Sequence, residues 1–253
     1  MRDEESFLEK ELTWSESSNL EFFKRQLENP YDSTKQFFEF ISKEVTLNSQ
    51  TKLIDACSGS GAASIYALSE FKCKEILAFD FQKKYLEIGK EFISKKDFKN
   101  KIEFIEDDVY NLSNKVLEHK FDGVICLASL SWINDWEKAL NELSKTKTSW
   151  IALSAIMYEG RIQAKINIEE FDENDIKIHQ SPYNVLSIPL VKNHLKKIGY
   201  SNFIAKKFQI SIDLPRDDVN KMGTHTKKLE DGERIQISGP ILLPWWFLIA
   251  KRI

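Results

Sequence analysis

The sequence has few cysteines, little net charge and no long apolar run, and each shortage excludes a class of protein. Its three cysteines, Cys57, Cys73 and Cys126, are an odd number with no Cys-x-x-Cys pair, so neither a disulfide framework nor a zinc site is indicated. A formal net charge of -3 gives no general attraction to nucleic acid or anionic membranes. The longest apolar run, 241–250, is interrupted by Pro244 and is shorter than the ~20 residues of a membrane span. We therefore expect a soluble, cytoplasmic protein with no metal and no nucleic-acid or membrane partner.

The chain of 253 residues is long enough for one domain with a large core. Apolar residues at helical spacing predict that residues 1–49 form a helical lid. From residue 51 strands alternate with helices, which predicts parallel crossovers and a doubly wound sheet. The predicted strands are 51–56, 75–80, 101–105, 121–127 and 149–155, and the helices lie near 61–71, 82–95 and 135–145.

The last third of the chain has a different pattern. Residues 156–180 have no clear period, and a helix is predicted near 184–198. Strands follow at 202–213 and 240–251, and Asp231-Gly232 between them is typical of a hairpin turn. The sequence thus predicts an α/β fold with a mostly parallel, seven-stranded sheet over 50–253 and cap insertions near 156–198 and 214–240.

A strand, a glycine turn and a helix follow one another at residues 53–68. The apolar run ends in Asp55, and Gly59 and Gly61 form the turn. Such a unit brings backbone N–H groups against a ligand, but an acid at the strand tip would repel a pyrophosphate. The pattern favours a ligand with a cation and an amine. The alternative is a structural turn in which Asp55 caps the helix.

Acids follow the next two predicted strands as well. Asp80 ends the second strand, where a carboxylate can accept both hydroxyls of a ribose or can cap the helix that starts at Gln82. The third strand leads into Asp107-Asp108. Because ligands of open α/β sheets bind beyond the carboxyl ends of the strands, these acids point to one site.

Together, these strand ends resemble the motifs of the class I S-adenosylmethionine (SAM) dependent methyltransferases. The resemblance implies that the loop after the first strand holds the methionine part of SAM, that the acid of the second strand binds the ribose, and that Asp108 rather than Asp107 takes the adenine amino group. It also implies a pocket floor after the fourth strand, where Trp132 stands at a position that is His in many relatives. The implied SAM contacts are Asp55, Ala56, Cys57, Gly59, Gly61, Asp80, Phe81, Asp108, Val109, Leu127 and Trp132.

Two flanking segments resemble bacterial methyltransferases of surface-polysaccharide and modified-sugar pathways. These are Asn29-Pro30-Tyr31-Asp32-Ser33-Thr34 and the stretch 232–245. The resemblance implies that Tyr31 and Thr34 contact SAM, although Tyr31 could equally be a hydrophobic staple. It further implies O-methylation of a small polar acceptor: a nucleotide-linked sugar, or a phosphate or phosphoramidate precursor of a capsule.

A general base is needed only where the acceptor is a hydroxyl that holds its proton. His179 and His225 are equal candidates for that base. The oligomer is expected to be a monomer or homodimer.

Four other functions compete with O-methylation of a surface-polysaccharide precursor. A nicotinamide-dependent oxidoreductase predicts glycine at position 64, which is Ser64, and no acid at position 55. An amino-methylating nucleic-acid enzyme predicts Asn/Asp-Pro-Pro-aromatic after the fourth strand, where the chain reads Leu127-Ala128-Ser129-Leu130. A methyltransferase acting on another small metabolite, or a non-catalytic SAM-binding partner protein, stays open.

Overall fold

The computed structural model describes residues 17–97, 99–215, 224–238 and 245–252, so the predictions for 1–16, 216–223 and 239–244 lie outside the described residues. The helices are α1 (Ser17–Glu28), α2 (Asp32–Glu44), α3 (Ala62–Glu70), α4 (Lys83–Ile93), α5 (Asn114–Leu117), α6 (Trp136–Ser144) and α7 (Ile188–Lys197). The strands are β1 (Lys52–Ala56), β2 (Glu75–Asp80), β3 (Ile102–Glu106), β4 (Gly123–Cys126), β5 (Trp150–Tyr158), β6 (Ala164–Phe171), β7 (Lys177–Ser187), β8 (Tyr200–Lys207), β9 (Thr224–Lys228), β10 (Arg234–Ser238) and β11 (Trp245–Arg252).

In the described residues the central sheet has nine strands rather than the predicted seven. Seven follow the order β3-β2-β1-β4-β5-β11-β8, and the β6–β7 hairpin joins them where β7 pairs with β5. Strands β1 to β5 are parallel along this path, and β11 is antiparallel to both β5 and β8. The order reverses between β1 and β4, which places a crevice at the carboxyl ends of these strands. The doubly wound, mostly parallel sheet with an antiparallel end is therefore confirmed.

The central strands are buried on both faces, as parallel strands between helical layers are. In β1, Leu53 contributes to one apolar cluster and Ile54 to the other. Helices α2, α3 and α4 cover the first face, with Phe38 fully buried there, and α6 and α7 cover the second, with Leu140 fully buried. No helix in the described ranges combines the length and the apolar character that spanning a bilayer requires.

An antiparallel hairpin, β6–β7, occupies much of the range 156–180, for which the sequence predicts no clear period, and Ile166 lies opposite Tyr183 in it. Ala164, Ile166 and Ile168 pack on the core while the residues between them are exposed, so a period-two pattern was present in the sequence. The helix predicted from 184 was placed too early. Strand β7 continues to Ser187, whose hydroxyl caps α7 by accepting from the N–H of Leu190.

The other boundary differences are small. Strand β8 ends at Lys207, six residues before the predicted end. The Asp-Gly turn joins β9 to β10 as an antiparallel hairpin, with Gly232 at a φ of 88°.

Candidate functional site

The carboxyl ends of β1 to β4 lie side by side, because the four strands are parallel and in register. Ala56 pairs with Phe79, and Asp80 pairs with Glu106. This arrangement brings the glycine turn and the acids after β1, β2 and β3 to one edge of the sheet, as the sequence predicts.

The glycine loop, residues 57–61, adopts a backbone that most side chains would oppose. Gly59 has a φ of 56° and Gly61 a φ of 76°. A Cβ at Gly59 would lie 2.4 Å from Cε1 of Phe23, so the position also lacks room for a side chain. Cys57 has a φ of 54°, an uncommon conformation for a residue other than glycine. Its thiol contacts that of Cys126, and this hydrogen bond together with burial raises the pKa of Cys57.

Asp80 connects the glycine loop to the start of α4. One carboxylate oxygen accepts from the N–H of Gly59 at 2.8 Å, and the other accepts from the N–H of Gln82 at 2.9 Å. The side chain is 7% exposed, and burial raises the pKa of Asp80 to about 6. Asp80 is thus a buried acid at the end of its strand. Because a carboxylate offers about four lone-pair positions, it retains capacity for ligand hydroxyls.

Asp55 connects β1 to the first turn of α3. Its Oδ2 accepts from the Ser64 hydroxyl at 2.6 Å and from the Ser64 N–H at 3.2 Å. The residue is 1% exposed, and burial raises the pKa of Asp55 to about 7. The structure therefore supports the helix-capping role, and direct contact between Asp55 and a ligand stays a prediction.

The two acids after β3 have different surroundings. Asp107 accepts from the hydroxyl of Ser113 at 2.6 Å and from the N–H of Asp108 at 2.8 Å, so it holds the loop together. Asp108 is half-buried and accepts from the N–H of Tyr110 at 2.9 Å. Val109 beside it is buried in the core. These contacts favour Asp108 as the residue that faces a ligand.

The segment after β4 is attached to two other strands. The Ser131 hydroxyl accepts from the N–H of Ile156 in β5 at 2.8 Å, and the Asn184 side chain donates to the carbonyl of Ile133 at 2.5 Å. Between these anchors, Trp132 packs its ring edge-to-face on Tyr183 with centroids 5.4 Å apart. Trp132 thus has a packing role, whatever it contacts in a ligand complex.

Helix α1 lies on the glycine loop. The Phe23 carbonyl accepts from the hydroxyl of Ser60 at 3.3 Å, and the Phe23 ring packs on Tyr85 of α4 with centroids 4.2 Å apart. Tyr31 is half-buried with its ring against Phe22, at 5.7 Å between centroids, and Thr34 is buried. Helix α1 therefore covers the glycine loop, and contact of Tyr31 or Thr34 with a ligand stays a prediction.

The two candidate bases lie on different hairpins, His179 on β7 and His225 on β9. In each, Nδ1 is buried and has no hydrogen-bond partner within the described ranges. Of the remaining predicted contacts, Ala56 is buried in the core, and Phe81 and Leu127 are half-buried. Sequence reasoning missed Ser58, Tyr183 and Trp245, whose buried polar atoms also lack a partner among the described residues.

Comparison with known proteins agrees with this geometry. Residues 53–147 match the family described as methyltransferase domain. Over 92 residues the chain is 24% identical to a demethylmenaquinone methyltransferase of Bacteroides fragilis, covering 36% of this chain and 37% of the relative. The chain thus matches little more than a third of the length of this curated relative.

Two solved structures have the same fold. The YcgJ protein from Bacillus subtilis superposes with a TM-score of 0.57 at 13% identity, covering 87% of this chain and 99% of that one. The N-terminal domain of EvdMO1, in the presence of S-adenosylhomocysteine (SAH) and D-fucose, gives a TM-score of 0.57 at 14% identity, covering 89% and 84%. Together with the strand order, these neighbours show that the chain has the α/β Rossmann-like methyltransferase fold, and residues 53–147 match the methyltransferase domain within it.

Proposed function

We propose that this protein transfers a methyl group from SAM to a hydroxyl of a small polar acceptor. The observation that carries the proposal is the convergence of the glycine loop, Asp80 and Asp108 at one edge of the sheet. Bound SAM supplies an electrophilic methyl group on a sulfonium.

The residues at this edge fit the parts of SAM. The Asp80 carboxylate keeps lone pairs for the two ribose hydroxyls, and Asp108 lies on the adjacent loop to accept from the adenine amino group. The hydroxyl of Ser58, buried and unpartnered among the described residues, is available to the amino-acid end. Gly59 and Gly61 allow the backbone to approach a ligand closely.

For the acceptor, we propose a sugar, free or nucleotide-linked, or a phosphorylated precursor in surface-polysaccharide synthesis. The proposal rests on the resemblance of residues 29–34 and 232–245 to methyltransferases of such pathways, and on a structural neighbour studied with SAH and D-fucose. Another small metabolite is the alternative acceptor. A SAM-binding partner protein without catalysis is the alternative function.

The proton of an acceptor hydroxyl requires a base, and His179 is our first candidate. His179, Ser181 and Tyr183 are spaced two residues apart along β7, so their side chains share one face of that strand. Its Nδ1 has no partner in the described chain and is available to accept the proton. His225 is the second candidate for the same reason.

The test begins with calorimetric titration of SAH and SAM, with NADH as control. We expect saturable binding of SAH and SAM but not of NADH. Radiolabelled methyl transfer is then measured with a panel of nucleotide sugars and sugar phosphates. His179→Ala and His225→Ala are compared under the same conditions, and we expect one of them to lower kcat at least about a hundredfold while SAH affinity is retained. Failure of the folded protein to bind SAH would disprove the proposed function.

A further inference from the structure

Two buried hydrogen-bonding groups on the α2–α4 face of the sheet have no partner among the described residues. They are the hydroxyl of Tyr183, whose side chain is fully buried, and Nε1 of Trp245, a residue that is 7% exposed. Burying a polar group without a hydrogen bond is unfavourable, and folded proteins pair nearly all such groups. An unpaired pair of donors in one apolar cluster therefore points to a missing hydrogen-bond acceptor.

Both residues are connected to the segment that follows β4. Trp245 opens β11 opposite Ile156 of β5, and the N–H of Ile156 donates to Ser131. Trp132, next in the chain, packs edge-to-face on Tyr183. Trp245, Ile156 and Tyr183 belong to one apolar cluster. Trp132 packs against this cluster, as does Leu127, which directly follows β4 at the carboxyl edge where the proposed SAM site lies.

We propose that the hydroxyl of Tyr183 and the indole N–H of Trp245 bind the methyl acceptor, and that the bound part of this acceptor is uncharged. Its chemistry is an oxygen with free lone pairs beside a flat apolar face, as in a sugar ring or a phenol. This inference rests on the proposed function and narrows its substrate class.

The absence of buried cations supports an uncharged acceptor. Among the described residues, the buried polar and charged side chains comprise Asp, Ser, Thr and Asn but no Lys or Arg. A phosphate bound in such surroundings would need a basic side chain to balance its charge. Burial also raises the pKa of Tyr183 to about 12, so its hydroxyl remains a neutral donor. The ring of Trp132 adds an aromatic wall suited to a sugar or a phenol.

The first test requires no acceptor and compares two buried tyrosines. Tyr200 is fully buried like Tyr183, but its hydroxyl lies 3.3 Å from the Thr148 hydroxyl, within hydrogen-bond distance. Removing an unpaired hydroxyl should leave the thermal midpoint unchanged or higher, whereas removing a paired one should lower it. We therefore expect Tyr183→Phe to match or exceed the wild-type midpoint and Tyr200→Phe to fall below it. A midpoint for Tyr183→Phe as low as that for Tyr200→Phe would overturn the proposal.

The second test measures binding to the SAH-loaded protein by saturation-transfer NMR, with D-fucose, phenol and phenyl phosphate as probes. We expect D-fucose or phenol to bind, which distinguishes a sugar site from a phenol site, and phenyl phosphate to bind more weakly than both. Tyr183→Phe and Trp245→Phe should each lower the affinity for the probe that binds by about fivefold, while the affinity for SAH is unchanged. The proposal would be overturned if phenyl phosphate bound more tightly than the uncharged probes, or if neither D-fucose nor phenol bound. It would also be overturned if both variants bound the probe with wild-type affinity.

These experiments distinguish a failure of the proposed methyl transfer from a failure of the proposed acceptor site. Absence of SAH binding to the wild-type protein counts against methyl transfer. The comparison of Tyr183→Phe with Tyr200→Phe in the ligand-free protein still decides whether the Tyr183 hydroxyl is unpaired.

Discussion

A Cβ atom at Gly89 would lie 2.3 Å from the carbonyl oxygen of Ser60. Helix α4 can pack on the glycine loop because it presents no side chain at this point. The Phe104 ring fills the remaining space, since its Cζ would lie 2.8 Å from the added Cβ. The shape of the glycine loop after β1 thus depends on α4, the helix that follows the neighbouring strand β2.

We expect Gly89→Ala to displace this loop. The contact is with backbone, which cannot rotate away, so overpacking should lower the free energy of unfolding by about 1–3 kcal/mol and weaken SAH binding. Urea unfolding and calorimetry measure the two effects. Lys90→Ala is the matched control, because Lys90 is exposed on the same helix and forms a surface ion pair with Glu87. Wild-type stability and affinity in Gly89→Ala would contradict the packing argument.

Asp80→Ala should affect both binding and folding. It leaves the N–H groups of Gly59 and Gln82 without their carboxylate partner, which should cost about 1–3 kcal/mol of stability, and it should weaken SAH binding at least about tenfold. The control is Glu106→Ala, since Glu106 pairs with Asp80 in register but is exposed. Unchanged SAH affinity in a folded Asp80→Ala protein would refute the assigned role of this acid.

The buried acids predict how stability depends on pH. Burial raises the pKa of Asp55 to about 7 and of Asp80 to about 6, whereas an unfolded chain titrates its aspartates near pH 4. The folded protein therefore binds more protons between about pH 4 and 7, and its stability falls as pH rises through that window.

We expect the ligand-free protein to resist urea better at about pH 5.5 than at about pH 8, by about 1 kcal/mol or more. Asp55→Asn removes one titrating group and should flatten the profile. SAH affinity should change in the opposite direction, because ribose hydroxyls need the ionised Asp80 carboxylate as acceptor. Stability that increases with pH in the wild-type protein would show that these acids are ionised at lower pH than stated.

Ser131→Ala tests the attachment of the segment after β4. The N–H of Ile156 would lose its acceptor inside the core, which should lower the free energy of unfolding by about 1–3 kcal/mol. Because Trp132 follows directly, methyl transfer to the acceptor should suffer more than SAH binding. Calorimetry with SAH and an activity assay separate the two effects, and an equal loss in both would argue against a role for this segment on the acceptor side.

The amino-acid sequence by itself determined the parallel half of the sheet and the order of its strand ends. Asp55 and Asp80 could be found because each follows directly on an apolar run, and Gly59 because it comes four residues after Asp55. The conformation of the glycine turn is local as well, since Gly59 and Gly61 supply the left-handed backbone that it uses.

Only the tertiary structure decided what surrounds these residues. The burial of Asp80 and the contact of Phe23 with the glycine loop involve segments that are distant in sequence. So does the burial of the Tyr183 hydroxyl, which has no partner among the described residues. The capping of α3 by Asp55 required the chain to bring Ser64 back to the strand tip. Hydrophobic periodicity reports which face of an element is buried, but not which partner lies against it, because the partner is chosen by packing across the whole core.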